Sequence, residues 1–237
     1  MHVRCEGSGS ATVVLLSGFE GAGDSWSAVT PTVSARARVC SSDKFGTGTS
    51  DPATGPQTFA TQADSLRQAL RTLGEPGPFV VVGHSFGGAE AVTFAAAFRS
   101  EVIGVVLVDA SPTTWQAAVC SVPDDGSAGA PGYRQVCAMT SSPSANAERL
   151  DGPAAFAAVG TITSLDDLPM AVLTASTHDR GLTAAESARL EQIWRTGQEQ
   201  WASLSPSARV TSVDGSGHNI QIDRPAVVIE QVLQLLP

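Results

Sequence analysis

Apolar residues along this chain form two kinds of run. Residues 12–16, 79–82, 102–108 and 169–175 are short, nearly continuous and rich in β-branched side chains, the pattern of strands buried on both faces. Other runs are periodic. In residues 58–73, Phe59, Ala63, Leu66, Leu70 and Leu73 recur at three- and four-residue steps and Gly74 stops the run, which predicts an amphipathic helix. Residues 183–204 predict a second helix, with Ala185, Leu190, Ile193, Trp194, Trp201 and Leu204 marking its buried face and Gly197 a kink. Residues 88–98 are small and apolar enough for a tightly packed helix. Weaker signals predict an edge strand at 3–5, strands at 38–41 and 209–213, a short helix capped by Asp24 or Ser25 and running through Trp26 and Val29, and a closing helix opened by Pro225. Strands alternating with helices predict an α/β fold with a mostly parallel, doubly wound sheet, its active residues at the C-terminal ends of the strands.

Between residues 113 and 165 the pattern breaks. Proline, glycine, serine and alanine dominate, with Trp115 and Tyr133 as aromatic anchors. This predicts a helical cap inserted at 112–165, loose around 123–132, between core segments 1–111 and 166–237. The length of 237 residues suits one such domain. The formal charge of −9 and the lack of any basic cluster argue against nucleic acid and anionic membrane surfaces as partners. No apolar run approaches the roughly 18 residues of a spanning helix, so stable membrane insertion is not expected. The four cysteines fall into two local pairs, Cys5 with Cys40 and Cys120 with Cys137, without metal-site spacing. Two disulfides would place the protein in an oxidising compartment, secreted or in the cell envelope, its leader removed; four buried thiols in a cytoplasmic enzyme is the alternative. A cap poor in large apolar residues favours the Cys120–Cys137 staple.

The chemistry gathers where the apolar strand at 79–82 meets Gly83-His84-Ser85-Phe86-Gly87-Gly88. G-x-S-x-G between strand and helix is the context of a nucleophile elbow: the serine sits on a strained turn, and the flanking positions admit no bulk. A second glycine-rich loop, Ser17-Gly18-Phe19-Glu20-Gly21, follows the strand at 12–16, where a second oxyanion donor is needed. The backbone amides of Phe19 and Phe86 are the candidates. Of the four histidines, His2 is at the chain start and His84 lies within the elbow, pointing away from the serine. His218, in a small-residue loop after the last strand, is the candidate base rather than His178. Gly46 and Gly48 lack the remaining residues of a dinucleotide or P-loop cradle.

Together, Ser17-Gly18-Phe19, the elbow, Val106-Leu107-Val108-Asp109 and Gly215-Ser216-Gly217-His218 resemble the α/β-hydrolase-fold serine hydrolases over essentially the whole chain. The segment from Gly217 to Pro225 resembles a bacterial, esterase-like subgroup, many of them exported. Serine replaces the family's usual histidine at position 17, which alters how that loop is anchored. The resemblance implies a Ser-Asp-His triad with two candidates for its acid. Most members carry the acid after the post-cap strand, at Asp179; a minority carry it before the cap, at Asp109. Ser176-Thr177-His178-Asp179 lacks the usual G-x-x-D glycine, and Asp109 ends an apolar strand beside the elbow, so Asp109 is favoured. The implied activity is hydrolysis of small to medium carboxylic esters through an acyl-enzyme, with no metal or organic cofactor, failing on the acid side as His218 protonates. A lactonase, amidase, peptidase or perhydrolase would use the same triad, and a non-catalytic binding protein would keep the fold without the chemistry. A surface-active lipase would need a long apolar lid, which the polar middle segment does not supply.

Overall fold

The computed structural model describes all residues of the chain except Pro76 and Asp179. Among the described residues, seven strands form one sheet in the order β1-β3-β2-β4-β5-β6-β7. They are β1 (His2–Glu6), β2 (Thr12–Leu16), β3 (Arg38–Asp43), β4 (Phe79–His84), β5 (Val102–Val108), β6 (Met170–Ala175) and β7 (Arg209–Val213). Only β1 runs antiparallel, paired to β3 with Cys5 opposite Cys40; the remaining pairs are parallel. That register lets the Cys5–Cys40 disulfide tie the edge strand down.

Successive strand side chains point to opposite faces, and the core is split accordingly. Val14, Leu16, Val81, Val105 and Leu107 join one apolar cluster, while Val13, Leu15, Val80, Val82, Val106 and Val108 join the other. Helices cover both faces, which is why the central strands read as continuous apolar runs. The helices are α1 (Thr30–Ser34), α2 (Phe59–Thr72), α3 (Phe86–Ala97), α4 (Trp115–Cys120), α5 (Ala130–Thr140), α6 (Gly152–Val159), α7 (Ala184–Ala202), α8 (Ile220–Asp223) and α9 (Pro225–Gln234). Thr58 caps α2 reciprocally with Thr61, so the helix starts at Phe59, one residue later than the periodicity predicts.

Several local expectations change. Asp24 and Ser25 cap no helix: they lie inside a 3-10 turn, Gly23–Trp26, and α1 begins only at Thr30. Gly197 makes no kink, since α7 is one continuous helix. Its missing side chain makes room for a neighbour: a Cβ there would stand 2.3 Å from Pro112 Cβ. Between β5 and β6 the chain forms α4, α5 and α6, and helix order already begins at Ala130 inside the stretch expected to be loose. Cys120 and Cys137 are bonded, linking α4 to α5. The segment is better packed than its composition suggests: Trp115, Val119, Leu150, Phe156 and Val159 are buried in the same cluster as α2 and α3. No helix among the described residues is long and apolar enough to cross a membrane.

Candidate active site

The elbow follows directly from its glycines. Ser85 sits between β4 and α3 at φ 56°, ψ −123°, a left-handed conformation that non-glycine residues rarely adopt. A Cβ at Gly83 would lie 2.1 Å from Gly87 O, and one at Gly87 would lie 2.4 Å from Leu16 O. Backbone bonds hold the turn: Ser85 N–H donates to Val108 O at 3.2 Å, and Ser85 O accepts from Gly88 N–H at 3.0 Å and Ser111 N–H at 3.1 Å.

Loops after β5 and β7 bring an acid and a base to Ser85. His218, after β7, places Nε2 3.0 Å from Ser85 Oγ and Nδ1 2.7 Å from Asp109 Oδ2. A proton on Nδ1 suits the carboxylate, which leaves Nε2 to accept from the serine hydroxyl. Asp109 follows β5, at φ 45°, and is fully buried. Its Oδ1 accepts from Trp194 Nε1 and Ala175 N–H, both at 2.9 Å, and from Thr174 Oγ1 at 3.3 Å. Burial works against the Asp109 charge, but the bonds from His178 and His218 outweigh it and hold the carboxyl well below its ordinary range. Of the two acid candidates, Asp109 is the one on His218; Asp179 lies outside the described residues.

His178, the other loop histidine, supports the acid instead of meeting the serine. Its Nε2 lies 2.8 Å from the same Asp109 Oδ2 that meets His218, and its Nδ1 lies 2.9 Å from Glu191 Oε2. Carboxylate oxygens can only accept here, so both ring nitrogens carry protons. Burial opposes that charge, yet the hydrogen bond and the charge of Asp109 raise the affinity of His178 for its proton. Arg180 extends the network, donating to Glu191 Oε2 at 3.1 Å and Tyr133 OH at 3.3 Å, with its guanidinium over the Trp115 and Trp194 rings. His178, Arg180, Tyr133, Trp115, Trp194 and His218 line a cavity of about 390 Å³. A larger surface hollow, about 520 Å³, lies beside β1 and β3 and contains none of Ser85, Asp109 or His218.

His84 does not turn away from the site as expected. Its ring lies 4.6 Å from the His218 ring, and its Nε2 is 3.0 Å from His218 O. Burial, then the nearby His218, pushes its pKa down to about 3, so it is a neutral donor that pins the His218 backbone. On the other side of the serine is the loop after β2. A Cβ at Gly18 would stand 3.2 Å from Ser85 Cβ and 3.6 Å from its Oγ, so Phe19 follows a residue in contact with the nucleophile. Phe86 opens α3, whose first N–H groups have no intrahelical partner. The Phe19 and Phe86 rings lie 5.4 Å apart. Ser17, in place of histidine, is held locally: its hydroxyl donates to Ala22 O at 2.7 Å and lies 2.8 Å from Ser25 Oγ.

Among the described residues, Asp109, His178 and His218 offer three metal-ligand atoms within 4.8 Å of one another. In this arrangement both histidine nitrogens are spent as donors to the one oxygen, so metal binding would have to displace two protons.

A strained serine on a strand–helix turn, a histidine after the last strand and a buried acid after β5 lie at one end of a mostly parallel sheet covered by helices, the arrangement of the alpha/beta hydrolase fold. The family model for the alpha/beta hydrolase fold matches residues 11–135, and the chain belongs to that family. Residues of this chain are 42% identical over 82 positions to an uncharacterized protein of Schizosaccharomyces pombe, covering 35% of this chain and 15% of that one. They are 36% identical over 110 positions to Lipase LipV of Mycobacterium tuberculosis, covering 46% of this chain and 41% of the lipase. The matches thus span less than half the length of either relative. Among solved structures, a thermophilic esterase from Thermogutta terrifontis superposes with a TM-score of 0.67 at 20% identity, over 98% of this chain and 91% of that one.

Proposed function

We propose that this hydrolase cleaves carboxylic esters of small to medium acyl groups by two-step acyl transfer. One observation carries the reading: the hydrogen-bonded path from Ser85 Oγ through His218 to buried Asp109, at 3.0 and 2.7 Å. His218 Nε2 takes the hydroxyl proton as Ser85 Oγ bonds to the ester carbonyl carbon. The carbonyl oxygen becomes an oxyanion, received by the Phe19 and Phe86 N–H groups. The tetrahedral intermediate collapses as the alcohol leaves with the proton from His218. Water, deprotonated by His218, then attacks the acyl-enzyme, and the acid is released with Ser85 reprotonated. Asp109 holds His218 in the productive tautomer and balances its charge while protonated. The likeness to a lipase and the aromatic wall of the cavity beside His218 agree with a substrate that carries an apolar acyl or alcohol group. The two disulfides favour an oxidising compartment as its place of work.

Hydrolysis of a p-nitrophenyl ester series from acetate to octanoate, by wild type and Ser85→Ala, tests this. The expected result is turnover that peaks at short to medium chains and is lost in the variant. Turnover of lactones or amides with none of these esters would replace the substrate class, and turnover that survives Ser85→Ala would remove the mechanism.

A further inference from the structure

Lys44 is the only lysine in the chain, and it is buried beneath the loop that carries Phe19. Its Nζ donates to Ser17 O at 2.9 Å and to Gly18 O at 2.8 Å, and it faces Glu148 Oε1 at 3.6 Å. Two carbonyls and one carboxylate thus meet the three donors of an ammonium group that would be costly to bury alone. Glu148, between α5 and α6, is itself buried. It accepts from the Glu20 N–H through Oε1 and from Gln62 Nε2 at 3.0 Å through Oε2. Residues 17, 18 and 20 are therefore gripped from behind, and the amide of residue 19 stands between them.

The Gly18 carbonyl and the Phe19 N–H belong to one planar trans peptide, so they point in opposite directions. Holding that oxygen on Lys44 turns the N–H away from Lys44, while Gly18 itself abuts Ser85. A cation on the carbonyl also polarises the peptide and strengthens its N–H as a donor. Glu90 on α3 faces the same cluster. Burial, opposed by Lys44 and aided by Glu148, pushes its carboxyl up to about 7, so at mildly acid pH it is neutral and does not compete for the ammonium.

We propose that Lys44 is a positioning residue of the oxyanion hole. It holds the Gly18–Phe19 peptide so that the Phe19 N–H meets the oxyanion formed on Ser85, and Glu148 balances its charge. This rests on the serine hydrolase reading above.

The test compares wild type with Lys44→Arg, Lys44→Gln and the charge-neutral pair Lys44→Met/Glu148→Gln. Each protein is titrated to its endpoint with a fluorophosphonate, so that kcat on p-nitrophenyl butyrate is expressed per competent serine. The expected kcat falls in the order wild type, Arg, Gln, Met, reaching a loss of about 100-fold, the scale of one oxyanion donor. KM is expected to stay within about threefold, because the contact matters only when the oxyanion forms. A kcat that is flat across whichever of these variants fold overturns the inference, as does a loss that lies wholly in KM. Wild type that takes up no probe overturns the serine hydrolase reading instead, so the two failures are distinct.

Discussion

On one side of Ser85 stand side chains; on the other stands backbone. The base side draws His218, Asp109, His178 and Trp194 from separate elements, and Asp109 alone receives five donors. The proposed oxyanion side uses backbone instead, the amides of Phe19 and Phe86, with Lys44 bonded to the carbonyls of Ser17 and Gly18 behind the first of them. A side chain can be oriented by bonds to its own tip. A backbone amide can be oriented only through its peptide plane, so the residue that does this acts from the far side and never meets the substrate.

The two sides should fail differently. Asp109→Asn breaks the base side: kcat is expected to fall by about 10⁴-fold, since the amide favours the wrong His218 tautomer and leaves the charged His178 with one partner fewer. A fall under about tenfold, measured on protein with unchanged circular dichroism, would mean that another acid serves His218. Gly18→Ala strikes the oxyanion side, where the new Cβ would stand 3.2 Å from Ser85 Cβ. Moving this loop by a few tenths of an ångström should lower kcat by roughly 10- to 100-fold with less change in KM, as steady-state kinetics will read. His178→Gln separates the acid's support from the base itself. It keeps a donor near Asp109, so kcat should drop only about tenfold, far less than for Asp109→Asn.

The smallest expected catalytic effect lies beneath the oxyanion side, at Glu90, where stability is the readout. Unfolded, its carboxyl ionises near 4.5; folded, burial raises this to about 7. The folded state therefore binds the extra proton in that window, and stability is full below it and declines as pH rises through it. Glu90→Gln should remove the decline and be more stable than wild type at pH 8 by about 3 kcal/mol, with no such gain at pH 4.5. Urea unfolding at the two pH values checks the sign.

What was readable in advance follows the same division. The apolar strands, the elbow glycines, His218 and the cysteine pairs announce themselves locally, because each depends on neighbours in sequence or on a single steric demand. The Gly83 and Gly87 clashes with Gly87 O and Leu16 O are such a demand. His178 and Trp194 were visible as a loop histidine and a core tryptophan, but their convergence on one carboxylate depends on where β5, β6 and α7 lie together. Lys44 gave one unused signal: a lone lysine in a glycine-punctuated loop reads as solvated, yet it is buried. Gly197 looked like a helix breaker because its role, making room for Pro112, is a contact from 85 residues earlier that no local pattern encodes.

The most direct measurement is the intact mass of the protein after reaction with a fluorophosphonate, for wild type and Ser85→Ala. The probe needs an activated serine and no particular substrate. One adduct on wild type and none on the variant is the predicted result. Folded wild type that gains no adduct, or a variant that gains the same one, would contradict the assignment of Ser85 as the nucleophile on which both sides of the site converge.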